Sequence, residues 1–95
     1  MKMLVLKDLH NRIARLDAAS STAVLDALDM IRSAPSIAEL LAHGNARSIG
    51  EKNYLVNVGN WRVDFKVVHR PNGEDEAAVV AIDRKTVGLG TAVID

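Results

Sequence analysis

The chain has no cysteine, so neither a disulfide framework nor a thiolate-bound metal is open to it. That absence suits a reducing compartment, and the expected setting is the cytoplasm. Long apolar runs are missing too. The longest, Ala77 to Ile82, has six residues, against the roughly 20 that a membrane-spanning helix needs. The apolar part of the opening MKMLVLKDLH is too short for a signal peptide. Neither sign of charge is in excess, since 12 basic residues face 12 acidic ones. Bulk attraction to nucleic acid is thereby disfavoured, although a local basic patch is still possible. The three histidines, His10, His43 and His69, are far apart with no ligand spacing, so no metal site is expected. There is no G-x-S-x-G elbow. The one dinucleotide-like stretch, Gly88 to Val93, has no room for a following βαβ unit. No cofactor is expected.

What is present reads as a globular domain. With 95 residues, 48% hydrophobic and 25% charged, the chain has material for one domain, residues 1–95, built around a single two-layer core. Met1 to Leu6 is a short apolar segment, either a first strand or the lead into a helix. Leu9, Ile13 and Leu16 then recur at helical spacing and predict a helix ending near Asp17. Ala18-Ala19-Ser20-Ser21 is read as the break, with Ser20 or Ser21 capping a second helix. Val24, Leu28 and Ile31 form the apolar stripe of that helix, and Pro35 ends it. Ser36-Ile37-Ala38-Glu39 has the pattern of a capping box for an extra helical turn, which Gly44 would close. Asn45 to Lys52 is expected to be a connecting loop.

The next stretch, Asn53 to Val68 (NYLVNVGNWRVDFKVV), contains all three aromatic residues. A two-residue Gly59-Asn60 turn joining two strands would pair Val58 with Trp61, Asn57 with Arg62, Val56 with Val63, Leu55 with Asp64 and Tyr54 with Phe65. Alternation then puts Tyr54, Val56, Val58, Trp61, Val63, Phe65 and Val67 on a packing face. Asn57, Arg62, Asp64 and Lys66, with Leu55 among them, fall on a polar face. Pro71-Asn72-Gly73 signals a turn and Glu74-Asp75-Glu76 a solvated loop. Ala77 to Ile82 predicts one more antiparallel strand, ending at Asp83-Arg84-Lys85. Residues 86–95 read as an edge strand or an irregular packed segment. The predicted class is α+β: a short N-terminal strand, then two helices packed on one face of a three- to four-stranded antiparallel sheet.

In this order of elements, and in Tyr54-Leu55-Val56-Asn57-Val58-Gly59-Asn60-Trp61-Arg62-Val63-Asp64-Phe65, the chain resembles the RelE/ParE superfamily of bacterial toxins. These are the toxic halves of type II toxin–antitoxin pairs. The resemblance implies a cognate antitoxin as partner. The activity it implies is ribosome-dependent cleavage of mRNA, with ParE-like inhibition of DNA gyrase without chemistry as the alternative. An inactive relative that only binds a partner is a further alternative. In the cleaving members an arginine at the position of Arg62 contacts the scissile phosphate, and Arg84 matches a second one approximately.

The chemistry of metal-free RNA cleavage asks for cations on the phosphate, a base for the attacking hydroxyl and an acid for the leaving oxygen. On the cleavage reading Arg62, Arg84 and Lys85 are the candidate catalytic cations, with Lys52, Asn57, Lys66 and Arg47 as RNA contacts. Three departures weaken that reading. Leu55 and Asn57 stand where cleaving members often have basic residues, Gly88 where they often have a tyrosine, and Asp64 beside Arg62 offers a plain surface ion pair. Trp61 and Phe65 are read as core rather than as base-stacking groups.

Overall fold

The computed structural model describes residues 1–84. Its elements follow in the order β1 (Lys2–Val5), α1 (Lys7–Ala14), α2 (Ala18–Ser33), α3 (Ile37–Ala42), β2 (Arg47–Gly50), β3 (Asn53–Val58), β4 (Trp61–His69) and β5 (Asp75–Arg84). The fold is α+β, with helices on one face of a five-stranded sheet ordered β1-β5-β4-β3-β2. The sheet is mixed rather than purely antiparallel, because β1 pairs in parallel with β5. Two strands enlarge it beyond the expected core. β1 finds its partner more than 70 residues along the chain, with Lys2 opposite Glu76. β2 falls in what had read as a loop; it is short, wholly exposed and polar, and only its pairing with β3 makes it a strand.

The helices depart from the sequence reading at their junction. α1 ends at Ala14, not near Asp17. Asp17 is instead the cap of α2, accepting the Ser20 N–H at 2.7 Å, in place of Ser20 or Ser21. A carboxylate at this position satisfies an end N–H and also faces the positive end of the helix dipole. That bond holds the Asp17 carboxyl below its ordinary pKa. α3 starts as expected, with Ser36 accepting the Glu39 N–H at 3.3 Å. It closes in a Schellman turn: Asn45 N–H bonds to Leu40 O, Gly44 N–H to Leu41 O, and Gly44 has φ +74°.

The β3–β4 register is the one that a two-residue turn dictates, from Val58↔Trp61 to Tyr54↔Phe65. Gly59 has φ +58° and Asn60 does not share a positive φ, the pattern of a type II′ turn. Val56, Val63 and Phe65 are completely buried in one cluster with Val24, Ala27, Leu28 and Ile31 of α2. Tyr54 stacks on Phe65 with ring centroids 5.8 Å apart. β5 begins earlier than Ala77, so Asp75 and Glu76 belong to a strand and not to a solvated loop. Opposite the Asp64/Phe65 step, β5 carries a bulge: Phe65 pairs with Val79 but Asp64 with Ala81, leaving Val80 extra. Among the described residues no helix is long and apolar enough to cross a membrane.

Phe65 is the largest completely buried side chain, so its truncation tests this core directly. Phe65→Ala is expected to lower unfolding stability by about 3–5 kcal/mol, read as a shifted urea midpoint. A loss under about 1 kcal/mol would contradict this packing.

Candidate functional site

The face of the sheet turned away from the helices carries the polar residues singled out in the sequence. Alternation along β4 puts Arg62, Asp64, Lys66 and Val68 there. Across the ladder Arg62 lies between Asn57 of β3 and Asp83 of β5, and Asp64 between Leu55 and Ala81. Leu55 is only 6% exposed although it lies on this face, where Arg47 of β2 and Asp64 flank it.

Arg62 is held by its own strand neighbour. Its Nε donates to Asp64 Oδ1 at 2.7 Å and its second guanidinium nitrogen to Oδ2 at 3.2 Å, a two-pronged pair. The hydrogen bond to Asp64 raises the pKa of Arg62 further, so the guanidinium stays charged but is already neutralised. Asp83, a second carboxylate beside it, is 3.4 Å from Arg12 of α1. A phosphate approaching Arg62 would therefore have to displace Asp64 in a neighbourhood that contains another acid.

Arg84 does not join Arg62. It pairs with Trp61 and lies over the indole ring, 5.1 Å from the centroid, on the helix side of the sheet. It is also close enough to α2's cap to help lower the pKa of Asp17. The cause is the bulge at Val80. In unbroken alternation from Val79 the even-numbered residues of β5 would share the Arg62 face. The extra residue shifts the alternation, so Ile82 is buried and Arg84 follows it to the helix side. Arg62 and Arg84 therefore lie on opposite faces of the sheet. Lys85 and Gly88 lie outside the described residues, as does the segment 86–95.

Of the remaining candidates, Arg47 and Asn57 line one groove with Leu55, and Lys52 and Lys66 do not line it. Lys66 is exposed on the same face as Arg62, between Asn53 and Ala78. Asn57 is the cross-strand neighbour of Arg62. Arg47 is on the outermost strand, and Lys52 is in the β2–β3 turn with φ +62°. His69 stands at the far end of β4, roughly 23 Å from Arg62 along an extended strand. Among the described residues no acid–base pair therefore flanks Arg62. Grooves of about 330 and 300 Å³ lie at the β4–β5 turn and between α2 and α3, and Arg62 lines neither.

One joint was missed in the sequence. Asp75 accepts the Ile37 N–H at 3.0 Å and His69 Nδ1 at 2.5 Å, with its side chain only 10% exposed. It ties the start of α3 to the β4–β5 hairpin. The only local signal was an acid next to an apolar strand, which the run Glu74-Asp75-Glu76 disguised as a solvated loop. Among the described residues no group of three His, Asp or Glu side chains is placed to hold a metal ion. The chain matches no protein-family model, no curated protein and no solved structure.

Two outcomes follow from these contacts. Asp64→Ala should free Arg62 and raise affinity for a short single-stranded RNA at low salt by about two- to fivefold, the scale of one exposed ion pair. Fluorescence anisotropy would read this, and unchanged binding would mean that Asp64 does not limit Arg62. The Ile37 bond, more than the His69 contact, holds the Asp75 carboxyl below its ordinary pKa of 3.8. Its stabilisation is complete above that ordinary value and is lost as the pH falls through the depressed one. Asp75→Asn should therefore cost about 1–2 kcal/mol at neutral pH and flatten the acid limb of the stability–pH curve, measured by denaturation from pH 6 down to about pH 2.

Proposed function

We propose that this chain is a toxin of the RelE/ParE type, the growth-arresting member of a type II pair, acting in the cytoplasm and restrained by a cognate antitoxin. The observation that carries the proposal is the β3–β4 hairpin. Its register buries Trp61, Val63 and Phe65 beneath the helices and turns Arg62 to the uncovered face. The sequence motif and the order of helices and strands support the same class.

Within that class the geometry favours action by binding, as in ParE-like inhibition of DNA gyrase, over cleavage. A cleaving site needs clustered free cations and an acid–base pair around the phosphate. Arg62 is already matched by Asp64, and Arg84 lies on the opposite face. A fixed, two-pronged Arg–Asp pair is a rigid polar feature for recognising another protein. The second reading, ribosome-dependent cleavage of mRNA, draws support from Lys66 and Arg47, which share the Arg62 face and take part in no ion pair among the described residues.

Induced expression in bacteria separates the readings. A DNA-damage response with gyrase trapped on DNA supports inhibition by binding. Rapid loss of translation with cuts at codon positions supports cleavage. No growth effect from a folded chain would sink both. Arg62→Ala is expected to abolish growth arrest while leaving the circular dichroism spectrum and melting temperature unchanged. A fully toxic variant would put the site elsewhere.

A further inference from the structure

Among the described residues the sheet ends in β1 on one side and β2 on the other. Neighbouring residues of a strand direct their backbone N–H and C=O groups to opposite sides, so an outermost strand leaves half of them without a ladder partner. The β2 edge is blunted. Its register breaks between Ser48 and Gly50, it carries the charge of Arg47, and Lys52 just beyond it has φ +62°. Each of these features spoils the regular template that another strand needs.

The β1 edge has no such protection. Its ladder with β5 runs unbroken from Lys2↔Glu76 to Val5↔Val79, without proline, glycine or bulge. Outside that ladder the backbone of Lys2–Val5 makes no hydrogen bond among the described residues. The chain stays extended through Leu6, with φ −61° and ψ 146°. Met3 and Val5 pack on the helix side, so Lys2, Leu4 and Leu6 fall on the other side. Leu6 and Leu4, 62% and 59% exposed, are the two most exposed large aliphatic side chains among the described residues.

The segment Lys2–Leu6 is also complementary to itself. A two-fold axis normal to the sheet would set two copies of it antiparallel, with Leu4 opposite Leu4 of the second copy. Met3 would then face Val5, and Lys2 would face Leu6, so no like charges meet across the junction. The aliphatic stem of Lys2 would cover Leu6 while its ammonium reaches water. Leu4 and Leu6 would become direct and diagonal cross-strand neighbours. Both helix layers would stay on one side of a single continuous sheet.

We infer that the β1 edge is a self-association surface, through which two copies of this chain pair antiparallel along Lys2–Leu6 with Leu4 at the centre. This pairing is independent of the toxin reading, because it rests on the edge strand alone. A strand from another protein could use the same backbone groups, but only a second copy brings Leu4 against Leu4. The contact is short, well under the roughly 1,600 Å² of a standard interface, so a weak dimer is expected.

Sedimentation velocity on the full chain should show monomer giving way to dimer between about 1 μM and about 1 mM. Since the chain has no cysteine, a single introduced thiol reports its own neighbourhood. Directly opposite residues hold their Cβ atoms about 4.5–5.5 Å apart, so Leu4→Cys should cross-link into a disulfide dimer under mild oxidation. Ile49→Cys, on the β2 edge, should stay monomeric over the same time. Leu4→Lys and Leu4→Glu should each weaken self-association by at least about tenfold, because each sets like charges opposite one another. Their melting temperatures should be unchanged. Mixed in equal amounts, the two variants should pair again, a rescue that neither a damaged fold nor an unspecific apolar contact would give. A chain that is monomeric up to about 1 mM, or association that survives Leu4→Lys, would overturn the inference. So would cross-linking of Ile49→Cys as fast as of Leu4→Cys. Contacts from Leu4 to residues 85–95 in the monomer would overturn it too, by assigning the edge to the chain's own terminus.

Discussion

Packing of the Phe65 side of the β3–β4 hairpin against α2 is the contact on which the other features depend. Val56, Val63 and Phe65 are fully buried with Val24, Ala27 and Ile31, and full burial of such a side chain is worth about 1.5–3 kcal/mol. A slip of one residue between the strands would turn this whole set to the solvent side and bring Arg62 and Asp64 into the apolar layer. Burial therefore enforces the register that the Gly59-Asn60 turn proposes. Because that side faces the helices, the opposite side is the one that no helix covers among the described residues.

The bulge in β5 determines what this free side can do. A regular β5 would have set Ile82 opposite Arg62 and turned Arg84 to the same face. One additional residue sends Ile82 into the core and Arg84 to the Trp61 ring, while Val80 remains on the open face. The same irregularity thus removes a cation from the open face and adds an aliphatic side chain to it. Both changes leave that face less cationic and more apolar.

The charge pairs act in the same direction. Arg62, Arg70 and, from α1, Arg12 are each paired with a carboxylate, so on the open face it is Lys2, Lys66 and Arg47 that take part in no ion pair among the described residues. At the opposite end of the sheet Asp75 joins the β4–β5 hairpin to α3 through the Ile37 N–H. The hairpin and the helix layer are thereby held together without using the open face.

The sequence by itself determined the features that depend on neighbours along the chain. A two-residue turn with glycine first sets the pairing of Tyr54 with Phe65 and Asn57 with Arg62, and alternation then separates the packing side from the polar one. Ser36 and Gly44 marked both ends of α3 because caps act over three or four residues. The α+β class followed from the same periodicities. Tertiary structure decided the rest. Arg47–Gly50 is polar and exposed, and only a neighbouring strand makes it one. Lys2–Val5 pairs with a segment near the far end of the described chain. Asp17, which reads from the sequence as the end of α1, caps α2 instead, because α1 stops at Ala14 and α2 already begins at Ala18. The extra residue at Val80 exists only in the match between two strands, so the face that Arg84 takes is not countable along β5 alone. Arg62 was legible as the centre of the polar side. Whether its charge would be free depended on the Asp64 rotamer that closed the pair, a conformation chosen in three dimensions.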